Sequence, residues 1–552
     1  MSSESQPSEE STAAEVESVA GQRADKQPWW KRIRTVDWIA GVVLLCIAAA
    51  SAWLRWPGFT QGGFASHDVA GMLHEAMVLR DGGLPYVDTI ELKAPGTFYL
   101  GALLAGDGTD IAAFQVWANA WAIASLVLLA AIAWRLWGPA AAVVTAALYG
   151  LFDAHLDSMD ANYVTWAQLP LIAAVGGALI ADRAKSRRRA LLWWVAIGVF
   201  AGLATLLKRP AGVGVLVVVL MSLAPADEHS SRPQRAAAVL GGVLLAHIPI
   251  GLHYLAAGQL GALFDGYVFS RWGARYVSYG GEPMGTAALV EGLLATMHFV
   301  ALPLALAMFA IVPPKQRAAR RVWLGLALWS LATMAAAWVG LRFYKGYFLA
   351  TAAPLCLWAA APWGLMGAAS RVRRAGRLVL LLPAFLLVLR QLTVLEHQRE
   401  DRARPHDQGG RVIARVVGGD QRNGDRIWVW GWHLWDVYPF TGMRSASRVY
   451  KSLGLLTPPN DDTWRRHAKR LRFTDGEAAE ILLEDLDATR PAWIVLGSTV
   501  PRNEFKGLRS FLREHYILER KVRLGRVQFW HRRDRAQAQR AARRAKRKSK
   551  SR

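Results

Sequence analysis

The chain has 552 residues, 53% of them hydrophobic, and carries 66 Lys and Arg against 42 Asp and Glu, a formal net charge of +24. A mean hydropathy of +0.17 alongside 20% charged residues excludes one soluble core and requires that apolar and charged residues be segregated along the chain. Two cysteines, Cys46 and Cys356, both inside apolar runs, exclude a disulfide framework and a cysteine-based metal site.

Residues 1–27 are acidic, Ser-rich and free of apolar runs, and 1–35 is expected to be a disordered cytoplasmic N-terminus. No cleavable signal sequence is visible, so the first hydrophobic helix is expected to be an uncleaved anchor. From 36 to 395 apolar runs follow one another, each long enough to cross about 30 Å of hydrocarbon. Spans are expected near 37–56, 111–135, 138–154, 162–181, 191–208, 211–224, 236–255, 286–312, 322–340, 347–369 and 377–395. The expected fold class is therefore an α-helical polytopic membrane protein with about 11 spans, followed by a small extracytoplasmic α/β domain.

Alternate connections are basic: KRIR at 31–34, Arg135, DRAKSRRR at 182–189, Arg232 with Arg235, KQRAARR at 315–321 and RVRRAGR at 371–377. The positive-inside rule puts all of them in the cytoplasm. Gly96 to Ala105 then cannot be a full crossing, because every later basic loop would flip outward. It is read as an interfacial or re-entrant helix of a large first outer loop, 57–110. With the N-terminus inside, the domain after Leu395 lies outside. Since the loops account for much of the positive charge, nucleic acid is not expected as a partner.

The outer face then collects ionisable groups at the membrane boundary, where they are costly and tend to be functional. The first loop brings His67, Asp68, Glu91 and Lys93; the second brings Asp153, Asp157 and Asp160. Lys208 and Arg209 sit in the turn LLKRPAG, Asp265, Arg271 and Arg275 in FDGYVFSRWGARYVSYGG, and Arg342, Tyr344 and Lys345 in LRFYKGY. Plainer readings stand beside these. Asp68 is of the type that caps the helix 69–79, lysines at a boundary snorkel toward headgroups, and Arg271 and Arg275, one turn apart, suit lipid headgroups. His74 and Glu75 read as solvated or interfacial, and Asp157 and Asp160 as solvated loop acids. His67 has no second histidine at ligand spacing.

Residues 396–531 change pattern. IWVWG and AWIVLG are short β-rich runs, GEAAEILLEDLDAT and EFKGLRSFLREHY read as amphipathic helices, and YILERKVRLGRVQFWHR alternates as a hairpin with Gly525 at its turn. Trp428, Trp430, Trp432 and Trp435 suit either a sugar-stacking surface or strand core, with core favoured. Residues 532–552 form a basic tail expected to be disordered, suited to anionic polymer or lipid headgroups.

Five segments resemble the GT-C glycosyltransferases, in particular bacterial relatives of protein O-mannosyltransferases and of lipid A aminoarabinose transferases. They are the first loop, with His67-Asp68, Gly83-Leu84-Pro85-Tyr86-Val87-Asp88 and Glu91-Leu92-Lys93-Ala94-Pro95; DSMDANYVTWAQLPL; the run ending at Lys208; RFYKGYFLATAAPL; and the tail domain. Ala94, Tyr163 and Gly346 depart from the family's frequent Pro, Glu and His. The resemblance implies a multi-pass plasma-membrane enzyme taking a polyprenyl-phosphate sugar as donor and a glycan, lipid or protein as acceptor. It maps the catalytic acid onto Asp68 and donor-phosphate binding onto Lys93 and Lys208, with Arg209, Arg271 and Arg275 as further cations. His67, Glu91, Asp160, Arg342, Tyr344 and Lys345 are additional site candidates. It implies inversion at the sugar, no certain cofactor, and a divalent metal as an open option, since some GT-C enzymes use one. A transporter or flippase of a lipid-linked substrate and a non-catalytic envelope scaffold are the rival readings.

Overall fold

The computed structural model describes residues 35–60, 66–181, 186–224, 230–277, 286–308, 317–364, 389–400, 409–419, 421–431, 434–452, 454–457, 473–497, 504–522 and 527–550. The expected order or disorder of residues 1–34 and most of the run 377–395 lie outside them.

Helices form where the apolar runs predict them. They are α1 (Thr35–Leu54), α2 (His67–Arg80), α3 (Gly96–Leu104), α4 (Ile111–Trp137), α5 (Pro139–Asp153), α6 (Tyr163–Leu179), α7 (Arg187–Leu207), α8 (Val213–Leu223), α9 (Arg232–Ala256), α10 (Arg271–Val277), α11 (Thr286–Met308), α12 (Arg317–Trp338) and α13 (Leu349–Gly364). Local chemistry sets their ends. Asp110 caps α4 by accepting from Ala113 N at 2.9 Å, Gly138 ends it at φ 90°, and Pro139 opens α5 at its first position. The chain leaves α5 through a π-type turn, Ala154–Ser158, in which Asp157 takes φ 77°.

About 11 spans is a correction: among the described residues six helices are long and apolar enough to cross a bilayer. They are α1, α4, α5 with its π turn, α7, α9 and α11. The physical reason is length and charge, since crossing about 30 Å of hydrocarbon takes about 20 predominantly apolar helical residues. α6, α8 and α13 have 17, 11 and 16 residues, and α6 is buried along nearly its whole length by its neighbours. α12 is long, but Arg317, Arg320 and Arg321 dilute its apolar run. The tightest helix crossing joins α7 to α9, where a Cβ on Gly198 would lie 2.1 Å from Val239 O and one on Gly242 2.1 Å from Val195 O. Glycines there let two backbones meet.

The extramembrane domain has α14 (Gly409–Gly418), β1 (Ile427–Trp430), α15 (Glu477–Thr489), β2 (Trp493–Leu496), α16 (Lys506–His515), β3 (Tyr516–Val522), β4 (Val527–Arg532) and α17 (Arg533–Lys550). Its sheet runs β1-β2-β4-β3, with β1 parallel to β2 and the other pairs antiparallel. The expected hairpin is β3–β4, its turn lying outside the described residues. Trp428, Trp430 and Trp435 are buried core; Trp432 is outside the described residues. The basic tail differs from expectation: α17 is helical, in keeping with its Ala, Arg, Gln and Lys content. Its base is fixed by Arg535 to Asp425 at 2.6 Å and Arg540 to Glu519 at 3.5 Å.

This domain seats on the first loop. Ile90 N donates to Arg448 O at 2.8 Å, Ser445 N to His74 Nε2 at 3.0 Å, and Arg444 pairs with Asp81 at 2.9 Å.

Candidate active site

The helix α2 is capped by Ser66, whose side chain accepts from Val69 N. Asp68 therefore does not cap it, and its carboxylate is free to face elsewhere. Its Oδ1 lies 3.9 Å from Lys93 Nζ, and its Oδ2 accepts from Asn162 Nδ2 at 3.4 Å. The Asp68 and Lys93 side chains are 26% and 28% exposed, enough for a substrate to reach them. Burial pushes the Asp68 carboxyl up, but Lys93, His67, Lys451 and Lys208 together outweigh it and hold it down at about 2.

Lys93 is fixed through its backbone. Its N–H donates to Glu91 Oε1 at 3.0 Å, and its carbonyl accepts from Tyr86 OH at 2.6 Å and Arg209 Nη2 at 3.5 Å. Its ammonium stands 5.4 Å over the Tyr163 ring. The Tyr163 hydroxyl is buried and makes no hydrogen bond among the described residues.

Lys208 enters from the end of α7, extended at φ −154°, with its Nζ 4.9 Å over the Tyr347 ring. Burial, then the charge of Lys93, brings its ammonium down to about 7, against the pull of Asp68 and Asp157. α3 approaches the same helix end: a Cβ on Gly96 would lie 2.7 Å from Leu206 O. Beside these, Lys345 pairs with Asp157 at 3.1 Å. Lys345 follows a turn in which Leu341 and Phe343 take φ 50° and 53°. Arg342 is buried within that turn, and Tyr344 packs edge-on to Tyr347 at 5.7 Å.

Five chain segments thus converge: Asp68, Lys93, Asn162 with Tyr163, Lys208, and the 341–347 turn with Asp157. The other candidates stand differently. His67 lies edge-on to Trp435 at 6.0 Å, beside Asp68. Arg209 donates to Gly266 O at 2.6 Å and so ties two loops behind Lys93. Arg271 is exposed and pairs with Glu477 of the extramembrane domain at 2.6 Å, apart from the Asp68 group. The Arg275 side chain lies outside the described residues. Asp160 is buried, not a solvated loop acid, and accepts from Gln115 Nε2 at 2.9 Å and Ala161 N at 3.0 Å. Glu91 is fully buried and ion-paired with Lys451. Asp153, expected at the outer face, is buried against Arg55 at 2.7 Å.

His74 and Glu75 correct the reading of solvated residues. Both are buried, because the extramembrane domain covers α2; His74 stacks on Tyr450 at 4.1 Å. Burial pushes the His74 ring well down and, with Glu91 adding to it, the Glu75 carboxyl up. Lys451, Tyr450 and Arg55 carried no sequence signal, and Asn162 had only its place in the segment DSMDANYVTWAQLPL. Tyr86 had one, in its Gly-Leu-Pro-Tyr-Val-Asp turn, where it takes φ 66°.

Among the described residues no three His, Cys, Asp or Glu side chains group so as to hold a metal ion. The Asp68 and Asp157 carboxylates face lysines instead, a set that fits an anion better than a cation.

No family model matches the chain, and no curated protein matches it. Solved structures do. ArnT from Cupriavidus metallidurans in the apo state superposes with a TM-score of 0.56 at 13% identity, over 89% of this chain and 98% of that one. The same protein bound to undecaprenyl phosphate gives 0.53 at 14%, over 90% and 98%. The archaeal oligosaccharyltransferase AglB from Archaeoglobus fulgidus, in complex with an inhibitory peptide and a dolichol-phosphate, gives 0.51 at 13%, over 92% and 75%. The chain therefore shares the fold of these solved structures, a multi-pass helical bundle with a C-terminal extramembrane domain.

Proposed function

We propose that this protein transfers a sugar from a polyprenyl-phosphate donor to an acceptor hydroxyl at the outer face of the plasma membrane, in one inverting displacement. The observation that carries the reading is the convergence of an ionised Asp68 with Lys93 and Lys208. Asp68 accepts the proton of the acceptor hydroxyl as its oxygen attacks the anomeric carbon. The bond from that carbon to the phosphate oxygen breaks, and the electron pair leaves with the phosphate. Lys93 and Lys208 stabilise the charge growing there, which favours the transition state over the ground state. A single displacement requires one close base, whereas retention uses two carboxylates flanking the bond.

Undecaprenyl phosphate and dolichol-phosphate in the structurally similar proteins support a lipid-borne phosphate donor. The basic run at 31–34, just before α1, supports a first loop on the outer face, and the extramembrane domain seated on that loop shares its side. The acceptor is a glycan, lipid or protein of the envelope. The test is transfer in membranes from a panel of labelled polyprenyl-phosphate sugars. Transfer from at least one donor, abolished in a folded and inserted Asp68→Asn variant, supports the reading. Near-normal turnover by that variant overturns the assignment of the base, and reporter tags placing the first loop in the cytosol overturn the topology.

A further inference from the structure

We propose that Lys451, supplied by the extramembrane domain, is a positioning residue for Lys93 and Asp68, so that this domain completes the transfer site; this rests on the function proposed above. Lys451 is buried and ion-paired with the fully buried Glu91. The two oxygens of Glu91 have separate tasks. Oε1 accepts from Leu92 N at 2.6 Å and Lys93 N at 3.0 Å, which fixes the backbone from which the Lys93 side chain leaves. Oε2 takes Lys451 and the Tyr450 hydroxyl from the extramembrane domain. The domain thereby grips the carboxylate that shapes the Lys93 turn.

The route of Lys451 also passes the base. A Cβ on Gly71 would come within 2.9 Å of Lys451 Cε, so the bare backbone at Gly71 opens the way across α2. Gly71 is one helical turn beyond Asp68 on the same face. The Tyr450 hydroxyl, whose one proton goes to Glu91, also lies 3.3 Å from Gly71 O and so packs against that turn. Lys451 is also one of the cations that keep Asp68 ionised. Glu91 buried without this cation would carry a large desolvation cost and would not hold its geometry.

Docking of the domain does not require this pair. Arg444 to Asp81, Ser445 N to His74 and Ile90 N to Arg448 O already join the domain to the loop without touching Glu91. A buried ion pair aimed at the Lys93 turn is therefore a means of setting geometry, beyond fastening.

The test uses the full-length protein in lipid nanodiscs, with Lys451→Met, the charge-neutral double variant Glu91→Gln/Lys451→Met, and Arg444→Gln as a docking control. Two readouts are made: binding of undecaprenyl phosphate, which involves no chemistry, and steady-state transfer with donor and acceptor varied separately. The double variant leaves no unpaired buried charge, so it remains informative where Lys451→Met alone misfolds. Expected for the double variant are binding weakened about tenfold, kcat/KM for donor lowered about 10²-fold by misplacement of Lys93, and an unchanged KM for acceptor. Arg444→Gln should leave phosphate binding at the wild-type level. Wild-type binding and kcat/KM in the double variant overturn the proposal, as does an equal loss in Arg444→Gln, which would make docking the whole effect. Full transfer by Asp68→Asn with weakened binding in the double variant overturns the base assignment alone and leaves the positioning of Lys93 standing. Absence of undecaprenyl phosphate binding in the wild type overturns both.

Discussion

Lys93 Nζ stands 3.9 Å from Asp68 Oδ1, the lysine at a bend before α3 and the aspartate in the first turn of a helix capped by another residue. Neither local role, cap or headgroup anchor, accounts for that pairing. The pH dependence of transfer follows from it. Asp68, held at about 2, is ionised at every pH above that value and loses its charge only as pH falls through it. Transfer should therefore stay flat from pH 8 down to 5 as far as the base is concerned. A rate profile with an acid limb near pH 5 that disappears in Asp68→Asn while activity persists would count against this base. Removing it should cost about 10²–10⁴ in kcat.

Lys208 titrates in the opposite sense. Its folded value, about 7, lies below the ordinary lysine value. Below pH 7 the ammonium is charged in both folded and unfolded chains, and the fold bears the full cost of burying it. As pH rises from 7 to about 10.4, the unfolded chain keeps a proton the folded one has shed, so this contribution to stability improves with pH. Binding an anionic sugar phosphodiester, which does not itself titrate in this range, favours the ammonium. Donor affinity should fall as pH is raised from 6 to 9, with proton uptake seen by calorimetry in buffers of different ionisation enthalpy. Lys208→Met should bind more weakly and lose the slope.

Two substitutions behind Lys93 should differ in severity. Tyr86→Phe deletes only the 2.6 Å hydrogen bond to the Lys93 carbonyl, a loss of about 1 kcal/mol, and should lower kcat a few-fold. Gly266→Ala should do more harm, because its Cβ would lie 2.3 Å from the Tyr86 ring and force the whole side chain aside. Steady-state rates of the two variants at equal expression decide the ranking.

The buried pair Arg55–Asp153 predicts a stability effect away from the chemistry. Arg55 also donates to Ser158 Oγ at 2.7 Å and Ser158 O at 2.8 Å, holding the end of α5 and its π turn to the chain beyond α1. Arg55→Met strands a buried carboxylate and should cost about 3–5 kcal/mol. The neutral pair Arg55→Met/Asp153→Asn should recover part of that. Thermal melts in detergent measure both.

Legibility in the sequence followed the range of the interaction. Helix positions could be read because apolar runs and end signals such as Asp110, Gly138 and Pro139 are local. The number of crossings could not, because the runs at 162–181, 211–224 and 347–369 fold into helices of only 17, 11 and 16 residues, set off by local turns that hydropathy does not show. Asp68, Lys93 and Lys208 could be listed, since charge at a membrane boundary is conspicuous; that they meet depends on the path of α7 and the turn at Pro95. His74 and Glu75 read as solvated because what buries them lies far along the chain. Trp428 and Trp430 read correctly as core because a four-residue apolar strand bounded by glycine is itself a local pattern.

The distance in sequence between Glu91 and Lys451, 360 residues, also imposes an order in time. At about 5–20 residues per second, the ribosome takes about 20–70 s to supply the lysine after the glutamate has emerged. Throughout that interval the nascent chain lacks the pair, and on the positioning role proposed for Lys451 a copy should gain full affinity for the lipid phosphate only once its C-terminal domain has been made and folded.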